Sequence, residues 1–271
     1  MMPLAAERIR SRLSDVASRW LGRLEVFETI DSTNSHLMNR ADRETIDGHA
    51  VLAEHQSAGR GRRGRTWKTP RGQSIALSLG VQIDVPAARL GAVSLVTGLA
   101  VASALEQCGV QGVGLKWPND IFLRGAKLGG ILIELVPLRQ PPVAVIGVGI
   151  NVARDPELSE VADPVAAIAD TGAEVDRNLL AARLIESIRG HVRRFEVEGF
   201  APFRRPWHDR NVHRDATVAI LLGDARIEGR VRGVGESGEL VLATADGERR
   251  FTSGEVSLRP AAGGDPALPS T

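Results

Sequence analysis

The sequence predicts an α+β protein: a sheet covered by helices, followed by a small all-β barrel. Three observations carry this. Short apolar runs, several of them alternating, recur between residues 24 and 150. The Ala/Leu/Val-rich stretch 86–108 spaces its apolar residues at three and four, as a helix lying on a sheet does. From Ala216 the texture changes to short β-rich runs separated by turns such as Gly223-Asp224, Gly235-Glu236-Ser237-Gly238 and Asp246-Gly247.

The elements follow in order. Leu4, Ile9, Leu13 and Val16 fall at helical spacing and predict one short helix over 4–20. Residues 24–30 alternate as a strand. Asp31-Ser32-Thr33-Asn34 then offers an N-cap, Asp31 or Ser32, to a helix carrying Leu37 and Met38. Strands are predicted at 50–54, 74–83, 113–117, 121–123 and 127–136, with a turn at Pro118-Asn119-Asp120 and a double glycine at Gly129-Gly130. Residues 137–142 read as a loop. The run 143–150 is fully apolar, and its embedded Gly147 and Gly149 suit a close ligand approach. Residues 151–164 lack periodicity and predict a loop. Residues 178–195 form an amphipathic pattern, and a second short helix ends near Asp209. The Pro/Gly/Ala tail 261–271 is predicted to be disordered.

The composition narrows the class. A chain of 271 residues, 43% hydrophobic and with a net charge of +1, can bury a core and is no polyanion binder by bulk charge. Cys108 is the only cysteine, which excludes an internal disulfide and a Cys-based zinc site; its place at the end of an apolar helix predicts a buried structural thiol. The stretch 1–23 has five arginines and no apolar h-region, so it is not a secretory signal. No apolar run is read as reaching the ~18 residues of a membrane span. A cytoplasmic protein with no membrane partner is expected. Of the 34 basic side chains only Lys68, Lys116 and Lys127 are lysine. A compact ammonium differs from a planar guanidinium, so geometry is expected to matter at the two lysines flanking 117–120.

The densest chemistry lies in Gln56-Ser57-Ala58-Gly59-Arg60-Gly61-Arg62-Arg63-Gly64-Arg65-Thr66-Trp67. Arginine forks suit phosphate oxygens, and a tryptophan can stack on a base. The run 59–64 matches the dinucleotide pattern G-x-G-x-x-G, but Thr66, Trp67, Pro70 and Gly72 follow where a helix must open. A kinase glycine loop is excluded too, since no His-Arg-Asp or Asp-Phe-Gly element follows. A solvated basic segment contacting nucleic acid is the alternative. The second cluster is Lys116-Trp117-Pro118-Asn119-Asp120 with Lys127. Asp120 could hold a magnesium ion or orient a lysine, and Lys127 could neutralise charge developing on phosphate or carboxylate. The bland reading is a turn beside a surface lysine.

Five motifs in this order resemble biotin protein ligases: Ser32-Thr33-Asn34; Glu54-His55-Gln56 with the arginine loop and Trp67; Lys116 to Asp120; Lys127-Leu128 with Gly130-Ile131-Leu132; and Gly147 to Asn151. Asp176-Arg177-Asn178 and Gly254 to Arg259 extend the likeness. It implies a class II synthetase-like core, a mixed β-sheet with helices on one face, over 24–211. An SH3-like barrel over 212–260 and an N-terminal helical extension over 1–23 complete the implied organisation. The implied reaction has two steps. Biotin and ATP give biotinyl-5′-adenylate, with magnesium. A lysine of a biotin carboxyl carrier protein then takes the biotinyl group. Ser32, Thr33, Asn34, Gln56, Gly59, Arg60, Gly61, Arg62, Lys127, Gly130, Gly147 and Gly149 are implied on the biotin side. Arg62, Arg63, Arg65, Trp67, Asn119, Asp120 and Asn151 are implied on the adenylate side. Lys127, Arg62 and Asp120 are the implied catalytic groups, and Asp120 the implied metal ligand. With about 23 residues before the first core strand, the monofunctional type without a DNA-binding domain or DNA partner is expected; a homodimer is compatible with the resemblance. A lipoate or octanoate ligase of related fold is the nearest alternative, and a nucleic-acid module the alternative of another class.

Overall fold

The computed structural model describes residues 1–137, 141–156, 164–222, 225–252 and 257–260. The expected tail 261–271, the turn Gly223-Asp224, the motif residues Gly254 to Val256 and parts of the loops at 137–142 and 151–164 lie outside the described residues.

The chain begins with two short helices rather than one, α1 (Ala6–Arg10) and α2 (Asp15–Trp20). The Ser14 hydroxyl accepts from the Ala17 N–H and starts α2 afresh, so the apolar spacing spans a break.

Strand β1 (Arg23–Ile30), helix α3 (Thr33–Ala41) and strand β2 (His49–Gln56) form a crossover with β1 and β2 parallel. Every later pairing in this sheet is antiparallel: β3 (Ser74–Gln82), β4 (Val113–Lys116), β5 (Asp120–Leu123), β6 (Ala126–Leu135) and β7 (Val143–Asn151). The strand order is β1-β2-β3-β7-β6-β5-β4.

One face of the sheet is covered by α4 (Val93–Gln107) and α5 (Arg177–Glu198), with Leu77, Leu79, Ile146, Val148 and Ile150 beneath them in one apolar core. Helix α3 packs on the other face over a smaller cluster of Leu37, Ile46, Val51 and Val145. Burial on both faces explains why β7 reads as continuously apolar. The strand alternation sends Gly147, Gly149 and Asn151 to the α3 face, where the ladder sets them opposite Ser78, Ala76 and Ser74. Side chains removed from that face leave a hollow beside α3.

The stretch Ala87–Gln107 does have the length and composition of a membrane span, contrary to the sequence reading; most of its apolar window is buried in the core, against α5 and strands β4 to β6. Its first turn is 3-10, over Ala87–Ala92.

A buried pair braces the N-terminus. Arg177, the first residue of α5, grips Glu54 through two hydrogen bonds of 2.7 and 3.1 Å and also donates to the Met2 carbonyl at 2.9 Å. Glu54 accepts from the Leu4 N–H at 2.6 Å, and Asn178 holds Pro3 and Ala5. Such a pair contributes little net stability intact, but loss of one partner strands a buried charge at a cost of about 3–5 kcal/mol.

Helix α6 (Ala201–Arg210) leads to a second sheet of β8 (Thr217–Leu222), β9 (Ala225–Val234), β10 (Leu240–Thr244), β11 (Gly247–Phe251) and β12 (Ser257–Pro260). It is antiparallel throughout, in the order β11-β10-β9-β8-β12. This is the expected all-β module. No ladder among the described residues joins β11 to β12 and closes it as a barrel.

Candidate active site

The hollow beside α3 opens into a cleft walled by the first turn of α3, the arginine loop, β6 and β7. Of the residues expected there, all but Gly59 line it.

Its inner end is polar and buried. Ser32 caps α3 by accepting from the Ser35 N–H, so the simple capping role and a place in the cleft wall coexist. Thr33 reaches Gln56 Oε1 through its N–H at 2.9 Å and its hydroxyl at 3.1 Å. Gln56 Nε2 donates to Thr69 Oγ1 at 3.0 Å. The Ser78 hydroxyl donates to Asn34 Oδ1 at 2.5 Å. All five are buried. Gly147 stands where a Cβ would press into the Asn34 carboxamide. A few amides and hydroxyls fixed in an apolar slot are what a small polar ring requires.

The arginine loop is a hairpin. Trp67 N–H donates to Gly59 O at 2.8 Å, Gly61 N–H to Arg65 O at 2.7 Å, and Arg60 pairs with Thr66. The tip, Arg62–Gly64, turns through left-handed backbone at Arg63 and Gly64, with φ of 57° and 71°. Gly59 contributes no wall: its missing side chain lets the Trp67 carbonyl close the hairpin. A side chain at Gly59 would also press on Gln56, which lines the cleft. Arg62 donates to Asn119 Oδ1 at 2.9 Å. Burial, then the charge of Arg63, pushes its guanidinium below its ordinary pKa. Three cations at one loop tip favour an anion between them.

Beneath the loop, Lys127 Nζ lies 2.6 Å from Asp120 Oδ1. The Lys127 backbone is pinned on both sides, its N–H to Pro164 O and its carbonyl from the Ala166 N–H, each at 2.9 Å. Gly130 leaves the floor open beside this pair. Asn119 is braced by donating to Ile131 O at 3.0 Å.

Among the described residues, two buried atoms in the wall lack a hydrogen-bond partner: the donor Trp67 Nε1 and the acceptor Asn151 Oδ1. Asn151 uses its Nδ2 on Ala166 O at 3.1 Å, which aims the carboxamide. Unpartnered buried polar atoms are rare and mark a ligand or water position. The Trp67 ring lies against Gly149, where any Cβ would collide with it.

Several contributors were not legible beforehand. Ser78, Thr69 and Glu134 lie in runs that read as plain strand or loop; the ladder register aims Ser78 and Glu134, and Gln56 holds Thr69. Glu134 binds Arg60 and Asn34. Trp117 is buried in the core, and its Nε1–H donates at 3.0 Å to the carbonyl of Gly238, in the turn between β9 and β10. Lys116 stacks over Phe122, 5.4 Å from the ring centre, and also lines the cleft.

Residues 26–151 match the Biotin/lipoate A/B protein ligase family, and residues 216–259 the Biotin protein ligase C terminal domain. The chain is 39% identical over 261 residues to the Bifunctional ligase/repressor BirA of Salmonella typhimurium, spanning 95% of this chain and 79% of that one. It is 41% identical over 196 residues to the Biotin--[acetyl-CoA-carboxylase] ligase of Mycobacterium tuberculosis, over 70% of this chain and 71% of that one. A solved structure of biotin protein ligase from Aquifex aeolicus with biotin and ATP superposes with a TM-score of 0.77 at 29% identity, over 89% of this chain and 100% of that chain. With the two matches in chain order and the expected motifs gathered around one cleft, this chain belongs to the biotin protein ligase family.

Proposed function

We propose that the chain joins biotin to a lysine of a biotin carboxyl carrier protein, using ATP and passing through biotinyl-5′-adenylate. The observation that carries this reading is the division of one cleft. A buried amide and hydroxyl pocket at Thr33, Asn34 and Gln56 lies at one end, and at the other the cationic loop tip with Trp67 Nε1 and Asn151 Oδ1, unpartnered among the described residues. The Lys127–Asp120 pair also lines this cleft.

In the first step a biotin carboxylate oxygen attacks the α-phosphorus of ATP. An acyl–O–P bond forms, the bond to the β-phosphate oxygen breaks, and pyrophosphate leaves. Negative charge builds on the non-bridging α-oxygens, and Lys127 and Arg62, which both line the cleft, are the cations that would meet it. Asp120 holds the Lys127 ammonium in place. Trp67 and Asn151 take the nucleotide, with Arg63 and Arg65 on its phosphates. In the second step the carrier lysine amine attacks the acyl carbon, AMP departs with the bonding pair, and the amine loses its proton. The nucleophile belongs to the partner, so the site needs no Ser/His or Cys/His pair. An acyl adenylate hydrolyses, so the loop must also exclude water.

Magnesium fits this cleft as an ion carried mainly by the ATP phosphates. Among the described residues no group of three His, Cys, Asp or Glu is assembled, and the one lining carboxylate, Asp120, is already paired with Lys127. Asp120 and Asn151 are the oxygen donors that would complete its shell, and the ion would supply charge neutralisation at the phosphates. In this reading residues 24–211 catalyse, 212–260 support them, and the acceptor is a cytoplasmic carboxylase.

The test is transfer itself. The protein is incubated with biotin, ATP–magnesium and an apo carrier domain, and covalent biotin is detected with streptavidin. Transfer of biotin but not lipoate is expected. Transfer of lipoate alone would overturn the reading.

A further inference from the structure

Side chains at the polar end of the cleft fix the direction of one another's protons. Asn34 turns its Nδ2 toward two groups that can only accept, the Glu134 carboxylate at 3.0 Å and the Leu132 carbonyl at 3.4 Å. Its Oδ1 therefore faces Ser78, whose hydroxyl lies 2.5 Å away and must donate. Ser78 stands on β3 opposite Gly147 and is fully buried. A hydroxyl has one proton, and that of Ser78 is committed to Asn34. Ser78 Oγ is also 2.7 Å from Thr33 Oγ1. Two hydroxyl oxygens at that distance need a proton between them, so Thr33 donates to Ser78. Gln56 Oε1 is a second acceptor near the Thr33 hydroxyl, at a longer 3.1 Å, and it already takes the Thr33 N–H at 2.9 Å.

We infer that Ser78 is a positioning residue for ligand specificity: it draws the Thr33 proton away from the cleft, so that Thr33 meets a ligand as an acceptor. Thr33 and Gln56 line the cleft, and Ser78 acts on a ligand through them. With the Thr33 proton turned inward, Thr33 Oγ1 and a lone pair of Gln56 Oε1 are left for N–H donors of a bound ring. A ring offering oxygen there would set acceptor against acceptor, which is costly in a buried site. Biotin's ureido ring carries two N–H groups, and on the ligase reading, on which this rests, it enters this end of the cleft. Thr33 and Asn34 belong to α3 and Ser78 to β3, so the polarity is built in whether or not the arginine loop is closed.

The test compares biotin with its two cyclic carbamates, in each of which one ring N–H is replaced by oxygen. Binding to the full-length protein is measured by calorimetry without ATP. The wild type should prefer biotin over at least one carbamate by about a hundredfold or more, as a site built to bond an N–H does. Ser78→Ala frees the Thr33 hydroxyl to donate, and that preference should fall by about tenfold, the scale of one hydrogen bond exchanged for another. In a Thr33→Val background, Ser78→Ala should leave the preference where it was, because no hydroxyl proton remains to redirect. A preference that Ser78→Ala does not lower would overturn the inference, as would an equal fall in the Thr33→Val background. Should Ser78→Ala fail to fold, Ser78→Cys keeps a side chain of similar shape with a weak donor and should lower the same preference; an unchanged value there overturns the inference equally. A wild-type protein that does not bind biotin would overturn the ligase reading and this assignment with it. Tight binding of biotin with an unchanged preference in the variants would overturn the assignment alone.

Discussion

Lys127 and Asp120 meet at 2.6 Å across the β5–β6 hairpin, with the Lys127 backbone fixed at the same time by Pro164 and Ala166. The ammonium is thereby aimed rather than merely present. In Asp120→Asn the charge partner is lost while shape is kept. Adenylate formation, followed as pyrophosphate release, should slow on the order of 10- to 100-fold, the usual cost of a misplaced catalytic cation. Biotin affinity by calorimetry should stay within about threefold on the same reasoning, since the amide pocket is untouched. An unchanged magnesium dependence would assign Asp120 to Lys127 rather than to the ion.

Gly147 tests the polar end of the cleft. A methyl there would sit about 2.9 Å from Asn34 Cγ and 3.1 Å from Nδ2, so the carboxamide must move. Gly147→Ala should weaken biotin binding by about tenfold or more, because a specific polar slot is left misaligned. The thermal midpoint should drop only a few degrees, as for an overpacking cost of about 1 kcal/mol. Gly190→Ala in α5 is the control: nothing lies within 4 Å of the added carbon, and helix propensity predicts a small gain in stability.

Arg62 should act on the product more than on the fold. Its guanidinium is partly buried against Asn119 and carries one tether of the hairpin. Arg62→Gly should shorten the half-life of enzyme-bound adenylate by about tenfold or more, the scale of one charge-assisted contact to phosphate. Chemical denaturation should change little. A variant that holds its adenylate as long as the wild type would move Arg62 out of the site.

His213 gives the junction between the sheets a pH response. Burial, then the nearby Lys116 charge, pushes its pKa down to about 4 from 6.5. The folded state therefore prefers the neutral ring, while the unfolded chain protonates below about 6.5. Stability is full above that value and is lost as pH falls toward 4, with a slope of up to about 1.4 kcal/mol per pH unit from this group. Denaturant melts across pH 4–7 should show this slope, and His213→Gln should flatten it.

The succession of strands along the chain and most of the residues that line the cleft were legible in the sequence because chemistry and punctuation coincided. Glycines broke the apolar run of β7, and arginines crowded a loop that could not be helical. What was not legible depended on contacts distant in sequence. Glu134 lies in an ordinary strand pattern and finds Arg60 only through the sheet, 74 residues away. Trp117 sits inside a chemical motif, and nothing in that motif shows that its indole is buried and bonded to Gly238. Gly59 belonged to the same glycine run as Gly61, and only the hairpin register separates a structural glycine from a lining one. The N-terminal break at Ser14 needed a cap to be distinguished from a helix-interior serine. The span-length apolar stretch at 87–107 shows the converse: periodicity identified a helix, and burial, not length, decides where it belongs.

The indole of Trp117 finally says something about how this chain could be divided. Its hydrogen-bond acceptor is supplied by Gly238, 121 residues further along, at a turn packed on Ala92. Leu115 is likewise paired with Asn211 and Val212. A fragment ending near residue 211 would retain every residue named in the cleft and still leave a buried donor without its acceptor behind Pro118, at about 1–3 kcal/mol. Two fragments cut between α6 and β8 should therefore be individually poor and mutually restorative. Biotin transfer would then report their encounter, which makes this seam a candidate for a split-enzyme proximity reporter.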